Sequence, residues 1–392
     1  MRKSFLPFSP PLIGDEEINE VADSLRGGWI TTGPKVKRFE EEFASFVGSS
    51  AALALNSGTG ALHTALATLG IGPGDAVITT PMTFCSTVHV IEQVGARPIL
   101  VDVESDTLNI DPNKIEGALK LETRNSKLKI RALLPVHLYG HPCDMDSIMA
   151  LAQKYNLRVI EDAAHALPAK YMGNFIGTIG DLTAFSFYAT KNITTAEGGM
   201  LTGTPGLIKE ARIWSLHGMS QDAWKRYGDK GSWYYEVVCP GFKYNMPDIS
   251  AAIGIQQLKK LNQFQTRRGE IVARYHKAFS QFEGLELPVE KHGVNHAWHL
   301  YVIRLNLDHL KISRNQFIEE LKSRNIGTSV HFIPIHLHPY YRDKYGYKPE
   351  DFPIAYQEYQ RIISLPLYPK MTDQDAEDVI EAVGQVIDRF HY

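Results

Sequence analysis

The chain has 392 residues, of which 44% are hydrophobic and 22% charged, and its net charge is −3 with histidine neutral. That length is too great for one compact core, so a large domain and a smaller one are expected. The absence of any long Lys/Arg run argues against nucleic-acid binding, and three widely spaced cysteines, Cys85, Cys143 and Cys239, argue against a disulfide frame or zinc site.

In chain order, the opening stretch MRKSFLPFSPPLIGDEE (1–17) lacks the apolar run of a signal peptide. The most apolar region, 51–72, is broken by Asn56-Ser57-Gly58, so no membrane span and a cytoplasmic location are expected. AALAL (51–55) reads as a strand and TGALHTALATLG (59–70) as a helix. DAVITT (75–80) and RPILVDV (97–103) are strands around a helical stretch near 83–94. IRALLPVHL (130–138) is a strand, and DMDSIMALAQKYN (144–156) is a helix with an acidic start. RVIEDAA (158–164), DLTAFSFY (181–188) and GGMLTG (198–203) complete the strands. Strands alternating with helices predict an α/β fold: a mostly parallel sheet covered on both faces.

After PGFKYNMPDIS (240–250) a helical pattern from about Pro247 to Ser280 is placed to link two domains, 1–250 and 251–392. The remainder mixes strands, HLYVIRL (299–305) and TSVHFI (328–333), with helices near 314–325 and 373–390, as a smaller α+β domain would.

Parallel sheets bind ligands beyond the carboxyl ends of their strands, and three such ends carry unusual residues. In LALNSGTGALHTAL (53–66) a strand, a tight turn and a helix start would aim free amides at one point, with Ser57 and Thr59 adding hydroxyls. That suits a phosphate; an ordinary helix cap is the alternative. A dinucleotide site is the weaker reading, because Gly58-Thr59-Gly60 lacks the third glycine. In VIEDAAHA (159–166) one of Glu161 and Asp162 should point inward and need a cation, either in a site or in a structural salt bridge. His165 could equally be a hydrogen-bonded core histidine. In AFSFYATKNITTAEGGM (184–200) the single Lys191 follows a buried strand. Ser186, Thr190, Thr194 and Thr195 offer hydrogen bonds there, and Phe185 and Phe187 suggest a dry wall. A desolvated lysine has a lowered pKa and becomes a nucleophile that can form a Schiff base. Phosphate cradle, buried acid and lysine, in that order, are what pyridoxal phosphate requires. Phe84, following a strand end, could face its ring.

GWITTGPKVKRFEEEFA, NSGTGALHTAL, EDAAHA, SFYATKNITTAEGG and PGFKYNMPDISAAIGIQQL together resemble the DegT-type family of sugar-nucleotide aminotransferases, across essentially the whole chain. The resemblance is greatest to members acting on UDP-linked 4-keto sugars, such as those forming UDP-4-amino-4-deoxy-L-arabinose. It implies the fold of aspartate aminotransferase (fold type I), pyridoxal 5'-phosphate, L-glutamate as donor, a keto sugar nucleotide as acceptor, and a homodimer with active sites at its interface. Carried over, it makes Lys191 the Schiff-base lysine and Asp162 the partner of the pyridine nitrogen. Gly58, Thr59 and Ser186 would hold the phosphate, Phe84 would stack on the ring, and Asn245 would reach the cofactor of the neighbouring subunit. His165 stands where many members carry glutamine, near the cofactor's phenolic oxygen or the substrate. Thr31 and His331 would face the substrate. A dehydratase of the family would lack the lysine. A 3-keto-sugar or cyclitol aminotransferase and a non-catalytic cofactor-binding regulator are the alternatives. His331, His336 and His338 could be read as metal ligands, but Pro334 and Pro339 break any regular ligand geometry, and no metal is expected.

Overall fold

The computed structural model describes residues 2–125, 128–220 and 234–392. Its centre is a seven-stranded sheet. In chain order the strands are β1 (Ala51–Leu55), β2 (Asp75–Thr79), β3 (Arg97–Leu100), β4 (Lys129–Leu133) and β5 (Arg158–Asp162). A short hairpin, β6 (Lys170–Tyr171) and β7 (Asn174–Phe175), precedes β8 (Leu182–Ser186) and β9 (Gly199–Gly203). The order across the sheet is β1-β9-β8-β5-β4-β2-β3, and only β9 runs antiparallel to its neighbours. The mostly parallel sheet expected from the sequence is present; the strands expected at 130–138 and 97–103 stop early, at Leu133 and Leu100, and the others lie within two residues of their expected ranges.

Strand periodicity assigns the two faces. Leu53, Leu55, Leu182 and Ala184 pack under α3 (Gly58–Thr68), α4 (Cys85–Gln93) and α7 (Pro205–Ser215). Their neighbours Ala52, Ala54 and Phe185 face the opposite way, against α2 (Pro34–Val47) and α8 (Asp248–Phe279). α1 (Asp15–Gly27) also lies on α8, while α5 (Pro112–Asn125) and α6 (Met145–Tyr155) cover the far strands. Among the described residues no helix is long and apolar enough to cross a membrane.

The rest of the chain builds a second core. β10 (Leu285–Glu286), β12 (Tyr301–Leu305) and β13 (Ile362–Leu365) form an antiparallel sheet, and β11 (Val294–Asn295) joins the β6–β7 hairpin. α9 (Arg314–Ser323) and α12 (Asp373–Phe390) pack on the first of these sheets, while α10 (Pro339–Tyr345) and α11 (Pro353–Tyr359) lean on the large sheet's side. α8 enters both cores: Ile255 and Leu258 sit with α2, and Ile271, Tyr275 and Phe279 sit with β12 and α12.

One expected strand is absent. Residues 328–333 make only an isolated bridge, Ser329 to Ser364. Val330 and Phe332 pack on the cluster of the large sheet, so their alternation comes from lying across a core and not from a ladder. Pro334 then removes a donor where a ladder would have continued.

Candidate active site

The ends of β1, β5 and β8 converge on a cleft of about 450 Å³ lined by Gly58, Thr59, Asp162, His165, Ser186 and Lys191 among others. Each arrives there for a local reason. After β1, Ser57 is extended and its Oγ accepts from the Gly60 amide at 2.9 Å, which caps α3. The amides of Gly58 and Thr59 find no acceptor among the described residues. They point out of a helix N-terminus bordered by the hydroxyls of Ser57, Thr59 and Ser186. A Cβ on Gly58 would stand 2.9 Å from the Ser186 Cβ, so glycine is what lets α3 start this close to β8.

On β5 the alternation separates two adjacent acids. Asp162 faces the cleft, only 4% exposed. It accepts from Thr87 Oγ1 at 2.8 Å and from the Ala164 amide at 3.1 Å. Thr83 and Thr87 share a 2.7 Å hydroxyl contact, so with the Thr87 proton spent on Asp162, Thr83 is the donor between them. Among the described residues no cation hydrogen-bonds to Asp162. Burial pushes its pKa up, against the pull of these donors and of the Lys191 charge. Glu161, on the other face, accepts from His137 Nε2 at 2.9 Å, the Gly180 amide at 2.8 Å and Thr183 Oγ1 at 2.8 Å. It is buried as well, yet those partners overcome desolvation and hold its pKa low.

Lys191 follows β8 in a turn closed by its own amide on the Tyr188 carbonyl, at 2.9 Å. Its Nζ makes no hydrogen bond among the described residues. Burial lowers its pKa to about 8, with Asp162 opposing. The dry wall is not the expected one. Phe185 and Phe187 point to the far side of β8, into the core with Phe39 and Phe43, because only alternate residues, Ala184 and Ser186, face the cleft. Thr194 and Thr195 donate to the carbonyls of Phe187 and Glu197 and so shape the loop, while Thr190 does line the cleft.

At the mouth, Phe84 stands exposed at the start of α4, 5.9 Å from the Phe332 ring. His165 is buried. Its Nδ1 accepts the Tyr139 amide at 3.2 Å, and its ring stacks at 5.8 Å on Phe332. Burial holds its pKa well below the usual value. His331 also lines the cleft, with Nδ1 2.8 Å from Ser364 Oγ, its ring on Phe8, and its pKa brought down by burial to about 4.

His336 lies apart from His331, buried against Phe352. Two expected residues are not in this cleft. Asn245 donates to Thr32 Oγ1 at 2.6 Å and opens on a separate hollow of about 660 Å³ between α2, β1 and α7. Thr31 is exposed nearby, its carbonyl accepting the Asp248 amide at 2.9 Å. Residues that sequence reasoning missed include Thr87, Phe8, Phe332, Asn192 and His299. Thr87 sits one helical turn past Phe84, and nothing in its neighbours marks it.

These residues suit pyridoxal phosphate on grounds of their own. Two unengaged amides at a helix N-terminus fit a phosphate. A buried acid with no cation hydrogen-bonded to it fits a protonated pyridine nitrogen, and an amine with a depressed pKa fits an aldehyde.

The chain matches the DegT/DnrJ/EryC1/StrS aminotransferase family over residues 11–384. It is 53% identical over 388 residues to the spore coat polysaccharide biosynthesis protein SpsC of Bacillus subtilis, covering 98% of each chain. An uncharacterised protein of Methanocaldococcus jannaschii is 54% identical over 388 residues, 99% of each chain. Among solved structures, the PLP-form of the putative sugar aminotransferase Spr1654 from Streptococcus pneumoniae aligns with a TM-score of 0.89 at 36% identity, over 98% of this chain and 99% of that one. Its PMP-form aligns with a TM-score of 0.89 at 35% identity and the same coverage.

Proposed function

Since the chain belongs to the DegT/DnrJ/EryC1/StrS aminotransferase family and is a pyridoxal-phosphate-dependent aminotransferase, we propose that it moves an amino group from L-glutamate to a keto sugar nucleotide, with a UDP-linked 4-keto sugar as the leading candidate. The carrying observation is the meeting of the low-pKa Lys191 with the buried Asp162 beside an open helix N-terminus. The names of SpsC and Spr1654 support a sugar acceptor and a role in making a surface polysaccharide.

Bound pyridoxal phosphate supplies an aldehyde carbon for the amino group and a protonated ring that accepts an electron pair. In our reading the chain does the rest. Gly58 and Thr59 amides, with Ser186, hold the phosphate, and Phe84 covers the ring. Asp162 keeps a proton on the ring nitrogen, and Thr87 aims its carboxylate. Lys191 Nζ, whose pKa burial brings down to about 8 so that a fraction is free amine near neutral pH, would take the proton from the α-carbon of the donor and pass it to the carbon that receives the amino group. His165 and His331 face the substrate side. Asn245, which its own cleft does not use, serves the cleft of a second copy, which makes the active unit a homodimer.

The test is glutamate-dependent amination of a panel of 3-keto and 4-keto nucleotide sugars, followed by mass gain of the sugar and release of 2-oxoglutarate. Turnover with simple keto acids but with no sugar in the panel would overturn the acceptor assignment.

A further inference from the structure

Two neutral histidines stand side by side on the inner wall of the cleft, and their surroundings dictate opposite tautomers. Their rings are 4.4 Å apart and tilted by 38°, a packing contact between imidazoles with no hydrogen bond between them. His165 Nδ1 accepts a backbone amide, so the proton of the neutral ring is on Nε2. His299 is determined by Asn192. The Asn192 amide nitrogen donates to the carbonyls of Leu167 at 2.7 Å and Ala297 at 2.8 Å, which uses both of its protons. Its Oδ1, 3.1 Å from His299 Nδ1, can only accept, so the His299 proton is on Nδ1 and Nε2 carries a lone pair. With the Nδ1 edge committed to buried Asn192, the other edge of the ring is what reaches the cleft wall.

The backbone is held as tightly as the ring. Arg268, from the middle of α8, is 1% exposed and has no carboxylate partner among the described residues. Its Nη1 donates to the carbonyls of Trp298 and His299, each at 3.2 Å, and of Leu367 at 2.8 Å. A buried guanidinium given over to three carbonyls is costly unless the placement of that segment matters.

We propose that His299, pinned by Asn192, is a positioning residue whose Nε2 lone pair, on the wall of the cleft that Lys191 enters, accepts a hydrogen bond from the Lys191 amine when that side chain turns toward it. His165 beside it presents the complementary donor. The proposal rests on reading Lys191 as the cofactor-bearing amine, and it deepens that reading. The titratable side chains that line the cleft with Lys191 are Asp162 from β5, His165 just after it, Tyr188 and Glu197 on either side of Lys191 in the chain, His299 before β12 and His331 from the 328–333 segment. Asp162 is reserved for the ring nitrogen, and His165 carries a proton toward the cleft. His331 Nδ1 is engaged by Ser364.

The test uses the full-length apoprotein, so its outcome does not depend on which donor or sugar is used. Nitrogen-15 NMR of histidine-labelled apoprotein should show His299 as the Nδ1–H tautomer and His165 as the Nε2–H tautomer. A proton on His299 Nε2 overturns the proposal without any variant. Lys191 is then titrated by its rate of reaction with a small aldehyde and borohydride. Losing an acceptor withdraws stabilisation from the ammonium, so His299→Phe should lower the Lys191 midpoint by about one pH unit. His299→Gln, which restores an amide oxygen, should recover at least half of that shift. An unchanged midpoint in His299→Phe, or an equal drop in both variants, overturns it. If instead the titrating lysine is not Lys191, the functional reading itself fails, an outcome the labelled site distinguishes.

Discussion

Glu161 and Asp162 are adjacent on one strand, both buried, and they differ in almost everything else. Glu161 has three donors and a pKa held below its ordinary value. Asp162 has a hydroxyl and an amide, and burial drives its pKa up. The first is an acid that the fold has satisfied; the second has capacity left for a ligand. A buried carboxylate is thus informative for function when its partners fall short, and burial alone does not separate the two.

The largest way to break this contrast is to remove the amine opposite Asp162. Lys191→Ala should abolish turnover, and borohydride should fix the cofactor on Lys191 in the native protein. Recovery of the label on another lysine would refute the assignment. Because the ammonium form cannot attack, capture of an aldehyde by the native apoprotein should accelerate as pH rises through about 8 and then level off. Mixing Lys191→Ala with Asn245→Ala protein should restore part of the activity, since a hybrid dimer would hold one site with both residues. No recovery after proven subunit exchange would count against the shared site.

Asp162→Asn comes next. The cradle and Lys191 remain, so the variant should load with cofactor, yet its single-turnover rate with glutamate should fall several hundredfold, equivalent to ~3–4 kcal/mol of transition-state stabilisation. A near-native rate in the loaded variant would make Asp162 structural.

Glu161→Gln should do the reverse, lowering stability by about 2–3 kcal/mol while the loaded enzyme keeps its rate within about threefold. The sign with pH is a further check. The folded pKa of Glu161 is depressed, so its contribution is present above the unfolded carboxylate pKa and is lost as pH falls through the folded one. The stability gap between native and Glu161→Gln protein should therefore narrow in acid. A rate loss equal to that of Asp162→Asn would exchange the two roles.

Thr87→Val is the mildest. It deletes one hydrogen bond to Asp162 and should slow single turnover about three- to tenfold with the cofactor still bound. No change at all would mean that the Ala164 amide alone aims the carboxylate.

Much of this was legible in the sequence because it depends on local order. Alternating runs gave the sheet, and Gly58, Asp162 and Lys191 stand just where strands end. The errors have a common cause. Nearness to Lys191 suggests Phe185 and Phe187 as cleft wall, whereas a strand sends alternate residues to opposite faces. Residues 328–333 had the pattern of a strand but no partner ladder. Asn192 and His299 are 107 positions apart and meet only through tertiary packing, so no spacing in the chain could announce them.

The long helix α8 has a mechanical consequence. At 32 residues it is a rod of about 48 Å, and its side chains complete the core under the large sheet at one end and the core beside β12 at the other. Arg268 grips the His299 segment near its middle. The lysine side and the histidine side of the cleft are therefore splinted to a single strut. Heat should melt both cores in one transition, and a chain severed between residues 250 and 251 should leave the first half unable to fold alone, because nearly all of the beam under its sheet goes with the other half.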